Sequence, residues 1–434
     1  MINSISSVKK RIFISGMVGN LLEIYDLTIC FFFAKTLSET FFPTSTNNLL
    51  NIFYVFLVGF LSKPIGSLII SLYSDQNGRK KMLLISIILT GISTALIGFI
   101  PSYKTVGSLS LIIFLILRIL QNIFVGGEYT NSIVYLIENG GENHQGYYGS
   151  WAAIGVNLGV LIASCITLII SLSIHYSLLP EWGWRLAFFP AIIAMLVGIW
   201  MRTSTPESLS FMLENANTPI NNKLKILTNS LKFIRQYPYK CMSISAITWL
   251  GVCITYSVYV YGPIHMATVN KLSTYEAFSI NSISLLILVF FIPIFGILSD
   301  SINKISLLMS ACVLFSFLAI PYFWYMSYGN YIQILFIHSL ISLPAACFFS
   351  IAPVLIAQTF PTKIRCTAVS LIYQTISSIA AGVTPIILLK IIYISHIPYA
   401  PGYLIIFSAI IGYFCLFILK KNEYEETFTE ISKT

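Results

Sequence analysis

A chain of 434 residues in which 56% are hydrophobic and only 9% charged, with a mean hydropathy of +0.83, is not a soluble globular protein, in which about 25% of residues are charged. Its formal net charge of +9 is read by position: Lys9-Lys10-Arg11, Arg79-Lys80-Lys81, the stretch from Arg202 to Lys240, Lys363 with Arg365, and Lys420-Lys421 occupy alternate connecting segments, and the others hold little beyond Lys104, Arg185 and Lys271. That asymmetry encodes membrane orientation, with both termini and the central loop on the cytoplasmic side, and leaves no case for a nucleic-acid partner.

Apolar runs long enough to cross a bilayer fall near 12–36, 48–72, 82–101, 108–137, 147–172 and 185–202, and again near 241–266, 277–298, 305–325, 331–357, 367–393 and 401–420. The expected fold is an all-α membrane protein of twelve transmembrane helices in two pseudo-symmetric six-helix bundles. Residues 1–202 form the first bundle, 203–239 a cytoplasmic linker, 240–421 the second bundle and 422–434 a short acidic tail. No cleavable signal peptide is expected, because the first run carries Glu23 and Asp26 and continues past signal-peptide length. The eight cysteines are scattered, with no CxxC and no metal-ligand spacing, so no metal or other cofactor is expected. The second helix ends in Asp75-Gln76-Asn77-Gly78-Arg79-Lys80 and the eighth in Asp300-Ser301-Ile302-Asn303-Lys304, an acid followed four positions later by a base. Such an echo is what duplicated transporter halves predict.

The first run holds the least expected residues. An ionised side chain at the centre of a membrane helix costs roughly +2.5 to +3.5 kcal/mol on insertion scales, yet Glu23 and Asp26 stand three apart and so share a helical face. That face must look into protein or water and marks a functional site. Two carboxylates in a partly desolvated cavity do not easily both ionise. Asp26, one turn further outward, is therefore expected to exchange a proton, and Glu23 to hold Arg118, which lies at similar depth in the fourth run. Arg118 reads either as half of a buried ion pair that sets packing or as a planar fork for a carboxylate. Glu128, behind Gly126-Gly127, is a gate residue or a further proton or solute site. Lys63, before Pro64, is expected to support the neighbouring gate loop.

Gly155 and Gly159 have the GxxxG spacing of close helix packing. The aromatic cluster Trp249, Tyr256, Tyr259 and Tyr261 reads first as interfacial belt or core, and second as a cavity wall able to hold a quaternary ammonium through Tyr256. His265 and His338 are expected to be hydrogen-bonded core residues, not proton relays.

The loop Asp75-x-x-Gly78-Arg79-Lys80 resembles the signature between the second and third helices of the major facilitator superfamily, with Ser71 and Gln76 as departures from it. Gly19-Asn20-x-x-Glu23-x-Tyr25-Asp26, Lys63-Pro64-x-Gly66, Arg118-x-x-Gln121, Gly126-Gly127-Glu128, Gly183-Trp184-Arg185 and Phe360-Pro361-Thr362-Lys363-x-Arg365 follow in order. Together they are similar to the metabolite:proton symporter branch of that superfamily, which includes proline/betaine, 2-oxoglutarate, citrate and shikimate carriers. The resemblance implies that Asp75, Arg79, Lys80, Asp300, Lys304 and Arg365 belong to gates. It also implies that Tyr25, Gln121, Tyr373 and Gln374 join Arg118 around the solute.

The function expected is proton-coupled symport of a small polar organic solute by alternating access, in a bacterial inner membrane, by a protein active as a monomer. Its partners would be the solute, protons and the lipid bilayer. A membrane-embedded enzyme is disfavoured by the lack of a nucleophile elbow, HExxH or Gly-rich phosphate loop. A passive facilitator or a transporter-shaped sensor of the same fold is the alternative.

Overall fold

The computed structural model describes residues 2–43, 48–77, 79–125, 128–140, 144–204, 228, 232–360 and 365–431; the side chains at 2–16, 68, 70–77, 79–83, 128, 131, 135, 138–140, 201–204, 365–367 and 423–431 lie outside that description. Every regular element described is helical. In the first bundle α1 (Ile2–Phe32) and α2 (Ala34–Phe41) meet at a bend of 60°. They are followed by α3 (Asn48–Asn77), α4 (Arg79–Ile97), the short α5 (Tyr103–Val106), α6 (Leu109–Val125), α7 (Glu128–Gly140), α8 (Gln145–His175) and α9 (Pro190–Ser204). The second bundle comprises α10 (Pro238–Asn270), α11 (Thr274–Ser301), α12 (Lys304–Tyr328), α13 (Tyr331–Gln358), α14 (Arg365–Ser395) and α15 (Gly402–Ile431).

By length and hydropathy, nine described helices can cross a membrane, or ten if α1 and α2 are one span; the shorter apolar helices Leu84–Ile97 and Leu109–Val125 stand in the third and fourth predicted places. Residues 205–227 and 229–231 of the predicted linker lie outside the described residues, and α15 stays helical through the predicted tail as far as Ile431.

Local chemistry accounts for the irregularities. The sixth span opens as a 3-10 helix, Glu181–Phe188. There Arg185 Nη1 donates to the carbonyls of Gly98 and Ile100, each at 2.7 Å, which closes the open C-terminal end of α4. In α10 the backbone widens to π-helix at Thr255–Val260 and Met266–Asn270, a distortion frequent at functional sites. Pro64, Pro293 and Pro344 lie inside helices, where membrane helices tolerate proline if the freed backbone groups find other partners.

The burial pattern is that of a protein in lipid. Phe290, Phe317, Ile332 and Phe407 are exposed, whereas Glu23, Asp26, Lys63 and Arg118 are buried. Within the first bundle, a Cβ on Gly155 would meet the Met17 carbonyl at 2.4 Å and one on Gly159 the Leu21 carbonyl at 2.6 Å. The GxxxG spacing therefore serves packing, as expected, and it sets α1 parallel to α8.

Two antiparallel seams join the bundles, α8 against α11 and α3 against α14. In the second, the Ser67 and Ser370 hydroxyls meet at 3.3 Å. The α8–α11 seam has a terminal end, where α8 begins and α11 finishes, and a distal end opposite it.

Candidate functional site

The first site is built on α1. Residues three apart on a helix point about 60° away from one another, so Glu23 and Asp26 share a face but address different neighbours. Lys63 of α3 meets Glu23, Nζ to Oε1 at 3.4 Å, with both side chains buried. Asp26 faces α4 and α6. Its carboxylate lies beside Thr94, whose hydroxyl donates to the Thr90 carbonyl at 2.9 Å; Gln121 Nε2 donates to the Asp26 backbone carbonyl at 2.9 Å and to Thr94 Oγ1 at 2.7 Å, and Asp26 Oδ1 has no partner.

The expected Glu23–Arg118 pair is not formed. Lys63 takes the place of the arginine because it, and not Arg118, lies on the side of α1 to which Glu23 points. The gate loop that Lys63 was expected to support has its side chains outside the described residues, and the described partner of Lys63 is Glu23.

Arg118 is fully buried. Its Nη1 donates to Gln121 Oε1, while Nε and Nη2 have no hydrogen-bond partner. Aromatic rings enclose the rest: the guanidinium carbon lies 4.8 Å from the centre of Phe56 and 6.0 Å from those of Phe31 and Phe60. A desolvated cation over an aromatic face gains about 2 kcal/mol or more, which offsets part of the loss of water. Tyr256 of the second bundle closes this cage, its ring 5.3 Å from Phe31 and 5.9 Å from Phe60, both edge-on. The π-helical turn of α10 carries Tyr256.

Between the bundles lies a small cavity lined among others by Tyr129, Asn157, Thr248, Thr255, Phe348 and Tyr373. Tyr129 and Tyr373 bring their rings to 5.1 Å across the bundle interface. Gln374 is buried with both amide atoms unpartnered. Tyr25 and Gln121, expected around the solute, have their polar atoms occupied inside the first bundle. Tyr25 donates to the Ala187 carbonyl at 2.7 Å, and Gln121 braces Arg118, Thr94 and α1. Both act here as positioning residues. Neither residue, nor Arg118, is among those lining the cavity.

At the terminal end, Asp300 accepts hydrogen bonds from the backbone N–H groups of Gly146 at 2.7 Å and Tyr147 at 3.1 Å. An anion on the N-terminus of α8 is favoured by the open N–H groups and by the helix dipole. A Cβ on Gly146 would lie 2.1 Å from Ser299 Oγ, so glycine is what lets α8 come this close. Beside them Gln358 Nε2 donates to Gln145 Oε1. Lys304 shares a polar hollow with Asp300, Asn303 and Gln358, but the acid's described partners are the backbone of α8 and not this lysine. The side chains of Asp75, Arg79, Lys80, Glu128 and Arg365 lie outside the described residues.

The aromatic cage was missed from the sequence. Phe53, Phe56 and Phe60 at helical spacing were a visible signal, but an apolar stripe on a membrane helix does not announce what it covers. The four aromatics of α10 divide their roles: Tyr256 faces the first bundle, Tyr259 and Tyr261 turn toward His338 and His265, and Trp249 donates to Ser408 at 3.1 Å.

A charged cluster in the interior of one helical bundle, a cavity shared with the other, and closed seams on both flanks define a membrane carrier. The Major Facilitator Superfamily family model matches residues 17–385, and the chain belongs to that superfamily. It is 28% identical over 405 residues to the glycine betaine/proline/ectoine/pipecolic acid transporter OusA of Dickeya dadantii, covering 92% of this chain and 80% of that one. It is 27% identical over 406 residues to the proline/betaine transporter of Escherichia coli K12 (92% and 81%), and 26% identical over 399 residues to the citrate-proton symporter of Klebsiella pneumoniae (91% and 88%). Among solved structures, the proton:xylose symporter XylE bound to 6-bromo-6-deoxy-D-glucose matches with a TM-score of 0.76 at 18% identity, covering 96% of each chain. XylE from E. coli in a partially occluded inward-open conformation matches at 0.71 and 18% identity, covering 96% of this chain and 98% of that one. The structures share the fold, and the curated relatives are of the metabolite:proton symporter kind to which the ordered motifs pointed. The protein is a multi-pass membrane transporter and not an enzyme.

Proposed function

We propose that this transporter couples uptake of a small polar organic solute, a carboxylate, betaine or amino-acid-like molecule, to entry of protons by alternating access. One observation carries this reading: the carboxylate of Asp26, with an unpartnered oxygen, and the guanidinium of Arg118, with two unpartnered nitrogens, are buried together around Gln121 and Thr94. Buried polar groups are ordinarily satisfied, and an ion with open valences is a site for a proton or a counter-charge. The names of the relatives, which carry betaines, proline and citrate, support the solute class.

Asp26 takes up the proton when the cavity faces the more acidic side and gives it up on the other. Glu23, held by Lys63, stays ionised. Arg118 attracts the anionic part of the solute once Tyr256 and the phenylalanine cage part. Tyr256, Tyr373 and Gln374 form the second bundle's wall, and Asp300 of α11, bonded to the start of α8, is a gate contact at the cytoplasmic end. The membrane is the bacterial inner membrane, with both termini in the cytoplasm, and one copy of the chain suffices.

The test is uptake of labelled carboxylates, betaines and amino acids into vesicles containing the protein, with and without a pH gradient. Accumulation of one solute class that requires acid outside supports the proposal. Equilibration of the same solute regardless of the gradient makes the protein a facilitator, and no flux of any solute makes it a sensor.

A further inference from the structure

A line of hydrogen bonds crosses the distal part of the second bundle and ends in the first. The Tyr322 hydroxyl of α12 is 3.0 Å from His338 Nδ1 of α13, and His338 Nε2 is 3.2 Å from Asn281 Oδ1 of α11. Asn281 Nδ2 donates to Ser164 Oγ of α8 at 3.1 Å, and Ser164 meets the Ser282 hydroxyl at 2.8 Å. All five side chains are buried. A second brace holds the imidazole from behind. Tyr259 stands edge-on to its ring at 5.8 Å and donates to Ser342 Oγ at 2.9 Å, which donates at 2.9 Å to the His338 carbonyl.

The chemistry of the groups orients the line. With the Asn281 amide nitrogen directed at Ser164, its oxygen faces the histidine, so Nε2 carries the proton and Nδ1 accepts from Tyr322. One end of the line is thus anchored on three helices of the second bundle. The other end is a short serine hydroxyl on α8, across the seam. Phe32, the last residue of α1, covers the contact by packing edge-on against Phe278 at 4.9 Å.

At the terminal end the same pair of helices is held by Asp300 on the N–H groups of α8. The seam is therefore fastened by polar contacts at both ends, and an alternating-access cycle has to release them in turn. Serine and asparagine side chains are too short to follow helices that separate, so all of the distal bonds across the seam break together.

We propose that Ser164, Ser282 and Asn281 form the latch that closes the distal end of the bundle interface, and that His338 is a positioning residue that aims the Asn281 amide at α8. The role as a gate rests on the alternating-access reading above; the latch itself is measured without a solute.

The experiment is hydrogen–deuterium exchange of the full-length protein in lipid nanodiscs, read peptide by peptide. Replacing Ser164→Ala together with Ser282→Ala removes the bonds across the seam, and exchange in the distal halves of both α8 and α11 is expected to rise about fivefold, with the terminal halves unchanged. His338→Leu should give the same two-helix pattern. His338→Gln, whose amide can still donate to Asn281, should return exchange close to wild type. Faster exchange confined to α11 and α13, or no change in the serine pair, overturns the latch. His338→Gln exchanging as fast as His338→Leu overturns the positioning role. Should the leucine variant exchange fast at both ends and so prove unfolded, the serine pair, which deletes only two oxygen atoms, decides the latch, and His338→Gln against wild type decides the positioning. A wild type that moves no solute in vesicles defeats the transport reading and leaves these exchange patterns to be read on their own.

Discussion

The two bundles bury polar groups in different ways. The first encloses Glu23, Asp26, Lys63 and Arg118 in apolar surroundings, with atoms of Asp26 and Arg118 left open. Among the described residues, the second encloses no acid, lysine or arginine; its interior polar groups are hydroxyls, amides and two histidines. A buried ion without full compensation costs several kcal/mol, whereas an open hydroxyl such as Thr384 costs about 1–3 kcal/mol. The first bundle is thus poised to be relieved by a proton or an anion, and the second supplies a neutral wall and the anchors of the distal seam. The division of labour is that one half carries the charge and the other half frames it.

The largest effect is expected at Asp26. Asp26→Asn mimics the protonated acid, so accumulation driven by a pH gradient should vanish while solute-for-solute counterflow, which moves no net proton, persists. Continued accumulation against a gradient would transfer the coupling role to Glu23 or Glu128. Next comes Arg118. Arg118→Ala empties the cage and should reduce transport by about a hundredfold or more, in line with the loss of a charged hydrogen-bonding partner at roughly 3–5 kcal/mol. Arg118→Lys should recover only part of it, because an ammonium lacks the fork and its stacking. Normal uptake by Arg118→Ala would place the working charge elsewhere.

The Glu23–Lys63 pair sharpens the contrast through stability. Removing Glu23 takes its carboxylate partner from the buried Lys63 ammonium and should destabilise the protein by about 3–5 kcal/mol, whereas removing both can be close to neutral. Glu23→Gln alone should therefore lower the thermal midpoint in detergent, and Glu23→Gln with Lys63→Met should recover most of it. Additive losses in the double variant would mean that the two residues do not act as a pair.

Much of this was legible in the sequence, and the gaps have physical causes. Hydropathy located the helical spans, because lipid leaves little choice of structure. Glu23, Asp26 and Arg118 stood out because charge in an apolar run is rare. What periodicity does not specify is the azimuth at which neighbouring helices pack. For that reason Glu23 was assigned to Arg118 and not to Lys63, Tyr25 was turned toward the solute and not toward Ala187, and the phenylalanine cage went unseen. The Asp300–Lys304 echo singled out Asp300 but not its bond, since backbone N–H groups at the start of α8 leave no mark in the sequence.

The smallest effect is expected where the second bundle most resembles the first. His265 is buried, its Nε2 bonded to Ser327 Oγ at 2.9 Å and its Nδ1 without a partner, so by burial alone it rivals Asp26 as a proton carrier. Its surroundings argue otherwise. Tyr261 and Phe323 flank the ring, and Ser327 passes its own proton to the Phe323 carbonyl at 2.8 Å, so the contact ends in the backbone. His265→Gln keeps a polar group near Ser327 and removes the titration. It should lower stability by about 1 kcal/mol and leave the dependence of uptake on external pH where it was. A displaced pH profile, with solute affinity unchanged, would put a titrating group in the second bundle and end the contrast between the halves.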